Sequence, residues 1–224
     1  MHVAALLLLL TQGAVGQSAP PPAATAPEVV VSASLLAAYQ PDDDGYATGS
    51  CGQPATYLNC GPGADGGFGV AAGLHTNWRS AFVGVEASYA HFSVTQLGRL
   101  ASGQAEATLD DTFLSIVAGG ITSHGRDRFR YVAGATRVFT SAKQTFEDGT
   151  TRNPADSRRH EPHPYTFTVG FDLLHPLAGR KQLSVGFRYT PLFRSEAQQQ
   201  MGLGGHAFRV AIGLGYRVGA GSRN

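Results

Sequence analysis

The sequence predicts an all-β fold, an eight-stranded antiparallel up-and-down transmembrane β-barrel. Three observations predict it. First, apolar and polar residues alternate with a period of two. In the segment 165–193, YTFTVGFDLLHPLAGRKQLSVGFRYTPLF, one face of the first arm carries Tyr165, Phe167, Val169, Phe171 and Leu173, and the other carries Thr166, Thr168, Gly170 and Asp172. Successive side chains of a strand leave opposite faces of the pleat, so this is strand periodicity. The second arm repeats it, with Val185, Phe187 and Tyr189 against Ser184, Gly186, Arg188 and Thr190. Second, the same pattern recurs along most of the chain, in segments near the 9–11 residues with which a tilted strand crosses hydrocarbon. Third, the connections alternate long and short around an even number of strands, as in membrane barrels with short turns on one side and long loops on the other.

In chain order, the first stretch, MHVAALLLLLTQGAVG, has a short apolar core and then small residues, the pattern of a secretory signal cleaved after Gly16 or Ala19. The apolar run is far too short for a membrane helix, which needs about 20 residues. Residues 1–19 are thus expected to be a signal peptide, 20–28 a Pro/Ala-rich linker with nothing to pack, 29–218 the barrel, and 219–224 a tail. An exported chain without a helical anchor can still be integral to a membrane as a closed barrel. The 17 Lys and Arg nearly balance the 16 Asp and Glu, and no polybasic run or nucleic-acid motif is present, so nucleic acid is not expected as a partner. The 29 glycines suit tight turns and close strand packing.

The predicted strands are 29–39, 67–76, 81–94, 112–122, 129–141, 165–174, 183–193 and 207–218. Long connections fall at 40–66, 96–110, 146–164 and around QQQMGLGG. Short turns fall at Trp78-Arg79, HGRD and AGRK. In the second strand Phe68, Val70, Ala72 and Leu74 are expected to face out and Gly69, Ala71, Gly73 and His75 in. In the third, Val83, Val85, Ala87 and Tyr89 face out and Gly84, Glu86 and Ser88 in. The last places Phe208, Val210, Ile212, Leu214 and Tyr216 outward, with Arg209, Ala211, Gly213, Gly215 and Arg217 inward. The fourth and fifth strands are less cleanly patterned; the expectation is Leu114, Ile116 and Ala118 outward and Arg137 inward. A soluble barrel of lipocalin type would have the reverse polarity, with an apolar lumen and a polar exterior.

The last strand, HAFRVAIGLGYRV, with Gly213 and then Tyr216 and Val218 alternating, resembles the C-terminal targeting strand of bacterial outer-membrane proteins. The whole region 29–218 resembles the small eight-stranded barrels of the OmpA transmembrane-domain and OmpX type. That resemblance is one of pattern and implies an integral bacterial outer-membrane protein, inserted by the barrel-assembly machinery, monomeric, and in contact with outer-membrane lipid and lipopolysaccharide. The tail 219–224 departs from it, since such proteins commonly end on the aromatic residue.

Eight strands enclose a lumen that side chains just fill. Glu86, Asp172, Arg188, Arg209 and Arg137 are expected to meet there as a charge network that plugs the barrel, because an unpaired buried charge is costly. With the AGRK turn centred on Arg180, Asp172 would lie directly opposite Arg188, with Glu86 as the competing partner across the lumen. In the first long loop, Cys51 and Cys60 are expected to be bridged in an oxidising compartment, and Asp42, Asp43 and Asp44 form a solvated acid cluster without the spacing of a calcium loop. No metal or cofactor is expected. In the third long loop Arg152, Arg158 and Arg159, with His160 and His163, are candidates for contact with lipopolysaccharide phosphates.

His91 and Ser93 share the outward face of the third strand, an arrangement that resembles outer-membrane lipid A deacylases, with Glu106 as the orienting carboxylate. The surrounding sequence and the mid-chain position depart from that family. The expected protein is therefore a barrel without enzymatic activity, serving envelope integrity, adhesion or defence. A lipid A acyl hydrolase using His91 and Ser93 is the alternative, and a small channel or transporter is third.

Overall fold

The computed structural model describes residues 27–40, 66–96, 105–145, 149–156, 165–193 and 205–218. These form nine strands: β1 (Glu28–Tyr39), β2 (Gly67–Asn77), β3 (Ala81–Gln96), β4 (Ala105–His124), β5 (Asp127–Thr145), β6 (Thr151–Asp156), β7 (Tyr165–Pro176), β8 (Lys181–Pro191) and β9 (His206–Val218). Eight of them close into an antiparallel barrel. Neighbours in sequence pair throughout, β5 pairs with β7, and β1 joins β9 to complete the wall. Among the described residues the short β6 pairs with the outer end of β5 alone.

Following paired residues once around the wall gives the geometry of the closure. Val29 leads through Thr76, Val83, Ala118, Ala133, Val169, Tyr189 and Phe208 to Tyr39, ten residues further along β1. With standard strand rise and spacing, that stagger over eight strands tilts them by roughly 40° to the barrel axis.

The two faces have opposite chemistry. Outward positions include Leu35, 75% exposed, Phe68, 70%, and Ile116, 67%, with Val70, Val85, Tyr131, Phe167, Ile212 and Leu214 also bare. A soluble protein does not leave a continuous apolar belt of this extent in water. The inward face buries His75, Asp111, Ser115, Arg130, Thr136, Thr168, Asp172, Thr190 and Arg209. Apolar clusters such as Phe92 with Leu109 and Phe113 with Val138 share that interior, but only the inside holds buried ions and hydroxyls, and an apolar exterior around them is the polarity of a barrel whose solvent is lipid. Among the described residues no helix is long and apolar enough to cross a membrane.

The facings expected for the second, third and last strands match this wall, as do Leu114, Ile116 and Ala118 on β4. Other expectations need correction. β4 and β5 are longer than predicted and project beyond their neighbours, so Asp110 lies in a strand and not in a loop. The β2–β3 turn centres on Arg79-Ser80, closed by the Trp78 amide donating to the Ala81 carbonyl at 2.7 Å. The first barrel strand begins at Glu28, and β6 was not foreseen. Two short turns use a glycine at positive φ, Gly125 at 60° between β4 and β5 and Gly179 at 69° between β7 and β8, a conformation costly for other residues. Residues 1–19 and 219–224, Asp42, Asp43, Asp44, Cys51, Cys60, Arg158, Arg159, His160 and His163 lie outside the described residues.

Candidate functional site: the lumenal charge network and the outer wall

The lumen is asymmetric because the strands contribute different volumes. β1, β2 and β9 turn Ser32, Ser34, Ala71, Gly73, Ala211 and Gly213 inward, whereas β3, β5, β7 and β8 supply Glu86, Arg130, Asp172 and Arg188. Long charged chains from one side occupy the room left by small residues on the other. A cavity of about 70 Å³ remains among them, bordered by Ser32, Ser34, Glu86, Arg188 and Ala211. Space on that scale takes a few water molecules.

Arg188 is the centre of the network. Its Nε donates to Glu86 Oε2 at 2.9 Å and its Nη2 to Glu86 Oε1 at 2.6 Å, a two-point contact from β8 to β3. Its Nη1 donates to Asp172 Oδ1 at 2.7 Å. Asp172 also accepts from Arg130, Nε to Oδ2 at 2.7 Å, and the Arg130 guanidinium lies 4.6 Å from the Phe82 ring centre. His75 Nε2 lies 3.1 Å from Glu86 Oε1. Two carboxylates thus face two guanidiniums, so each charge of this cluster has an opposite partner at hydrogen-bond distance, the condition under which buried ions are tolerated.

The expected register of the β7–β8 hairpin is off by two residues. Asp172 lies opposite Gly186, and Arg188 lies opposite Gly170. The ion pair forms diagonally, because the turn centres on Gly179 and because Gly186 has no side chain in the way. A Cβ there would stand 2.6 Å from Asp172 Oδ1.

Arg209 sits apart from Glu86 and Asp172, on hydroxyls and a ring. It donates to Ser88 Oγ and Thr190 Oγ1, both at 2.6 Å, and stacks 3.8 Å from the Phe113 ring centre. Thr190 continues a chain of hydroxyls around the wall, to Thr168 at 2.7 Å, to Thr136 at 2.6 Å and to Ser115 at 2.8 Å. Nearer the long-loop end, Asp111 accepts from Gln40 at 2.5 Å and from Thr140 at 2.6 Å.

Arg137 does not belong to the lumen. β5 turns its odd positions Phe129, Tyr131, Ala133, Ala135 and Arg137 outward and its even positions Arg130, Val132, Thr136, Val138 and Thr140 inward. No register break occurs between Arg128 and Arg137 in pairing with β7, so parity alone fixes Arg137 on the wall. The charge that β5 gives the lumen is Arg130. Aromatic residues at 129, 131 and 139 mark the odd face in the sequence, and that signal finds it.

On the outward face near the long loops, His91 Nδ1 lies 2.7 Å from Asp110 Oδ1, and the Tyr89 hydroxyl donates to the same oxygen at 2.5 Å. The carboxylate beside His91 is therefore Asp110 and not Glu106. Glu106 pairs with Thr95 in the β3–β4 ladder, further out than His91. The side chains of Ser93, Glu106 and Arg152 lie outside the described residues. Among the described residues no group of His, Cys, Asp and Glu is placed to hold a metal.

A closed antiparallel wall of eight strands, apolar without and charged within, defines the class: a small integral β-barrel of the bacterial outer-membrane type. Solved structures agree on the fold. A major outer membrane protein from Thermus thermophilus superposes with a TM-score of 0.54 at 10% identity, covering 84% of this chain and 99% of that one. The outer membrane protein OprG from Pseudomonas aeruginosa gives 0.51 at 11% identity, covering 88% and 98%. No protein-family model matches the sequence. No curated protein matches it either.

Proposed function

We propose that the chain serves the outer membrane as a non-enzymatic barrel with a structural or surface-interaction role, in envelope integrity, adhesion or defence, carried by its long loops. The observation that supports this reading is the filled lumen. The Glu86–Arg188–Asp172–Arg130 cluster crosses from wall to wall, the hydroxyl chain from Ser115 to Thr190 lines the wall as far as Arg209, and the cavity among the charged side chains holds about 70 Å³. Such a barrel is a rigid platform and not a conduit.

The test has two arms. In outer membranes the folded chain should resist carbonate extraction and run faster on gels unheated than boiled, and release as a soluble monomer would reject it. Purified wild-type barrel in planar bilayers should show no discrete conductance; regular unitary steps would favour the channel reading.

A second reading is favoured by the His91–Asp110 contact. An outward imidazole held at Nδ1 by a carboxylate leaves Nε2 to act as a base at lipid level, the orientation that acyl hydrolysis by a serine requires. Ser93, two residues along the same strand, is the nucleophile in that reading. Mass analysis of lipid A with and without the chain separates the two: loss of an acyl group on expression supports the hydrolase, and unchanged lipid A supports the non-enzymatic barrel.

A further inference from the structure

Among the described residues whose side chains are placed, Arg137 is the only Lys or Arg on an outward strand face away from the short turns. It pairs with Leu114 on one side and with Tyr165, the first residue of β7, on the other, which sets it near the long-loop rim. Its guanidinium carbon lies 4.7 Å from the Phe139 ring centre and 5.5 Å from that of Tyr165. Phe139 is two positions further toward the long-loop end, so the cation leans away from the middle of the apolar belt. Among the described residues no carboxylate stands within ion-pair distance of it.

A cation on the lipid face costs about 2–4 kcal/mol at mid-membrane and about 0–1 near the interface. The position and lean of Arg137 therefore put its charge at headgroup depth. There a guanidinium offers forked N–H donors that match two oxygens of one phosphate. The two rings restrict the side chain while leaving those donors in the lipid layer.

We propose that Arg137, framed by Phe139 and Tyr165, is a docking site on the outer wall for the phosphate of a lipid A molecule in the outer leaflet. The proposal rests on the outer-membrane reading, since only that leaflet brings phosphorylated lipid to this rim. It is a site on the folded wall, built from residues other than the arginines of the third long loop.

The experiment is native mass spectrometry of the folded full-length barrel released from neutral detergent, with bisphosphorylated lipid A, dephosphorylated lipid A or inorganic phosphate added. Wild type should retain the bisphosphorylated lipid about tenfold better than the dephosphorylated one, and Arg137→Gln should lose that margin. Inorganic phosphate at the same concentration should neither be retained nor displace the lipid. Equal retention by wild type and Arg137→Gln overturns the proposal, as does equal retention of dephosphorylated lipid. Displacement by inorganic phosphate overturns it in favour of a free-anion site. Where Arg137→Gln does not reach the fast-migrating folded form, Arg137→Lys decides: a severalfold loss supports the forked contact, and full retention rejects it. A wild-type chain that never acquires the folded mobility fails the outer-membrane reading itself, whereas a folded barrel without phosphate selectivity fails only this inference.

Discussion

Arg188 on β8 holds Glu86 on β3 through two hydrogen bonds across the barrel, Nε to Oε2 at 2.9 Å and Nη2 to Oε1 at 2.6 Å, while its Nη1 holds Asp172 on β7. One guanidinium thus ties three strands that share no direct ladder between β3 and the β7–β8 pair. Removing it leaves Glu86 with His75 alone and Asp172 with Arg130 alone, both in a largely buried lumen. Arg188→Ala should cost about 3–5 kcal/mol in urea unfolding from lipid vesicles. Combining it with Glu86→Gln should cost less than the sum of the single changes, because the second change removes a charge the first left without its guanidinium. Additive costs would show that the contact carries no coupling.

Gly186 is the space that lets Asp172 reach Arg188. A methyl group there would stand 2.6 Å from Asp172 Oδ1 and force the carboxylate away. Alanine favours a strand over glycine by about 0.5–1 kcal/mol, but a lost charge-assisted hydrogen bond costs about 1.5–3 kcal/mol, so the loss wins. Gly186→Ala should destabilise the barrel, and Asp172→Ser should cost less in that chain than in the wild-type one, because the contact with Arg188 that it removes is already weakened. A stabilised Gly186→Ala variant would refute the steric argument.

Thr190 joins two systems, accepting from Arg209 at 2.6 Å and meeting the Thr168 hydroxyl at 2.7 Å. Thr190→Val keeps the shape and removes the oxygen, leaving Arg209 and Thr168 each short of a partner in a fully buried position. The expected cost is about 1–3 kcal/mol. Ser184→Ala is the control. Its hydroxyl makes a 3.3 Å bond to the Gly213 carbonyl in a half-buried position, and its loss should cost under about 1 kcal/mol. Equal effects at the two positions would mean that the hydroxyl chain contributes nothing as a chain.

Cys51 and Cys60 should be bridged in protein isolated from the envelope, as an exported first loop predicts. A bridge closing a loop of that size adds about 2.5–3 kcal/mol by chain entropy. Maleimide should label neither thiol before reductant is added. Labelling of both under those conditions would end the disulfide expectation.

By itself the sequence determined whatever depends on local parity. The alternation in β2, β3, β7, β8 and β9 assigns each side chain to a face, since a strand has a period of two wherever it lies in the wall. It put Glu86, Asp172, Arg188 and Arg209 inside before any partner was known, and it failed only at Arg137, where the residue type outweighed the odd-numbered aromatics beside it. Tertiary structure alone decided which of the inward charges meet. The ten-residue stagger brings Arg188 to Glu86 across the lumen, the turn at Gly179 makes Arg188 and Asp172 diagonal and not opposed, and the β5–β7 register brings Arg130 onto Asp172. Arg209 consequently bonds to Ser88 and Thr190 and stays out of the cluster. The physical reason is that facing is set by each residue's neighbours in sequence, whereas cross-lumen contact is set by the closure of all eight strands at once, to which no single segment holds the key.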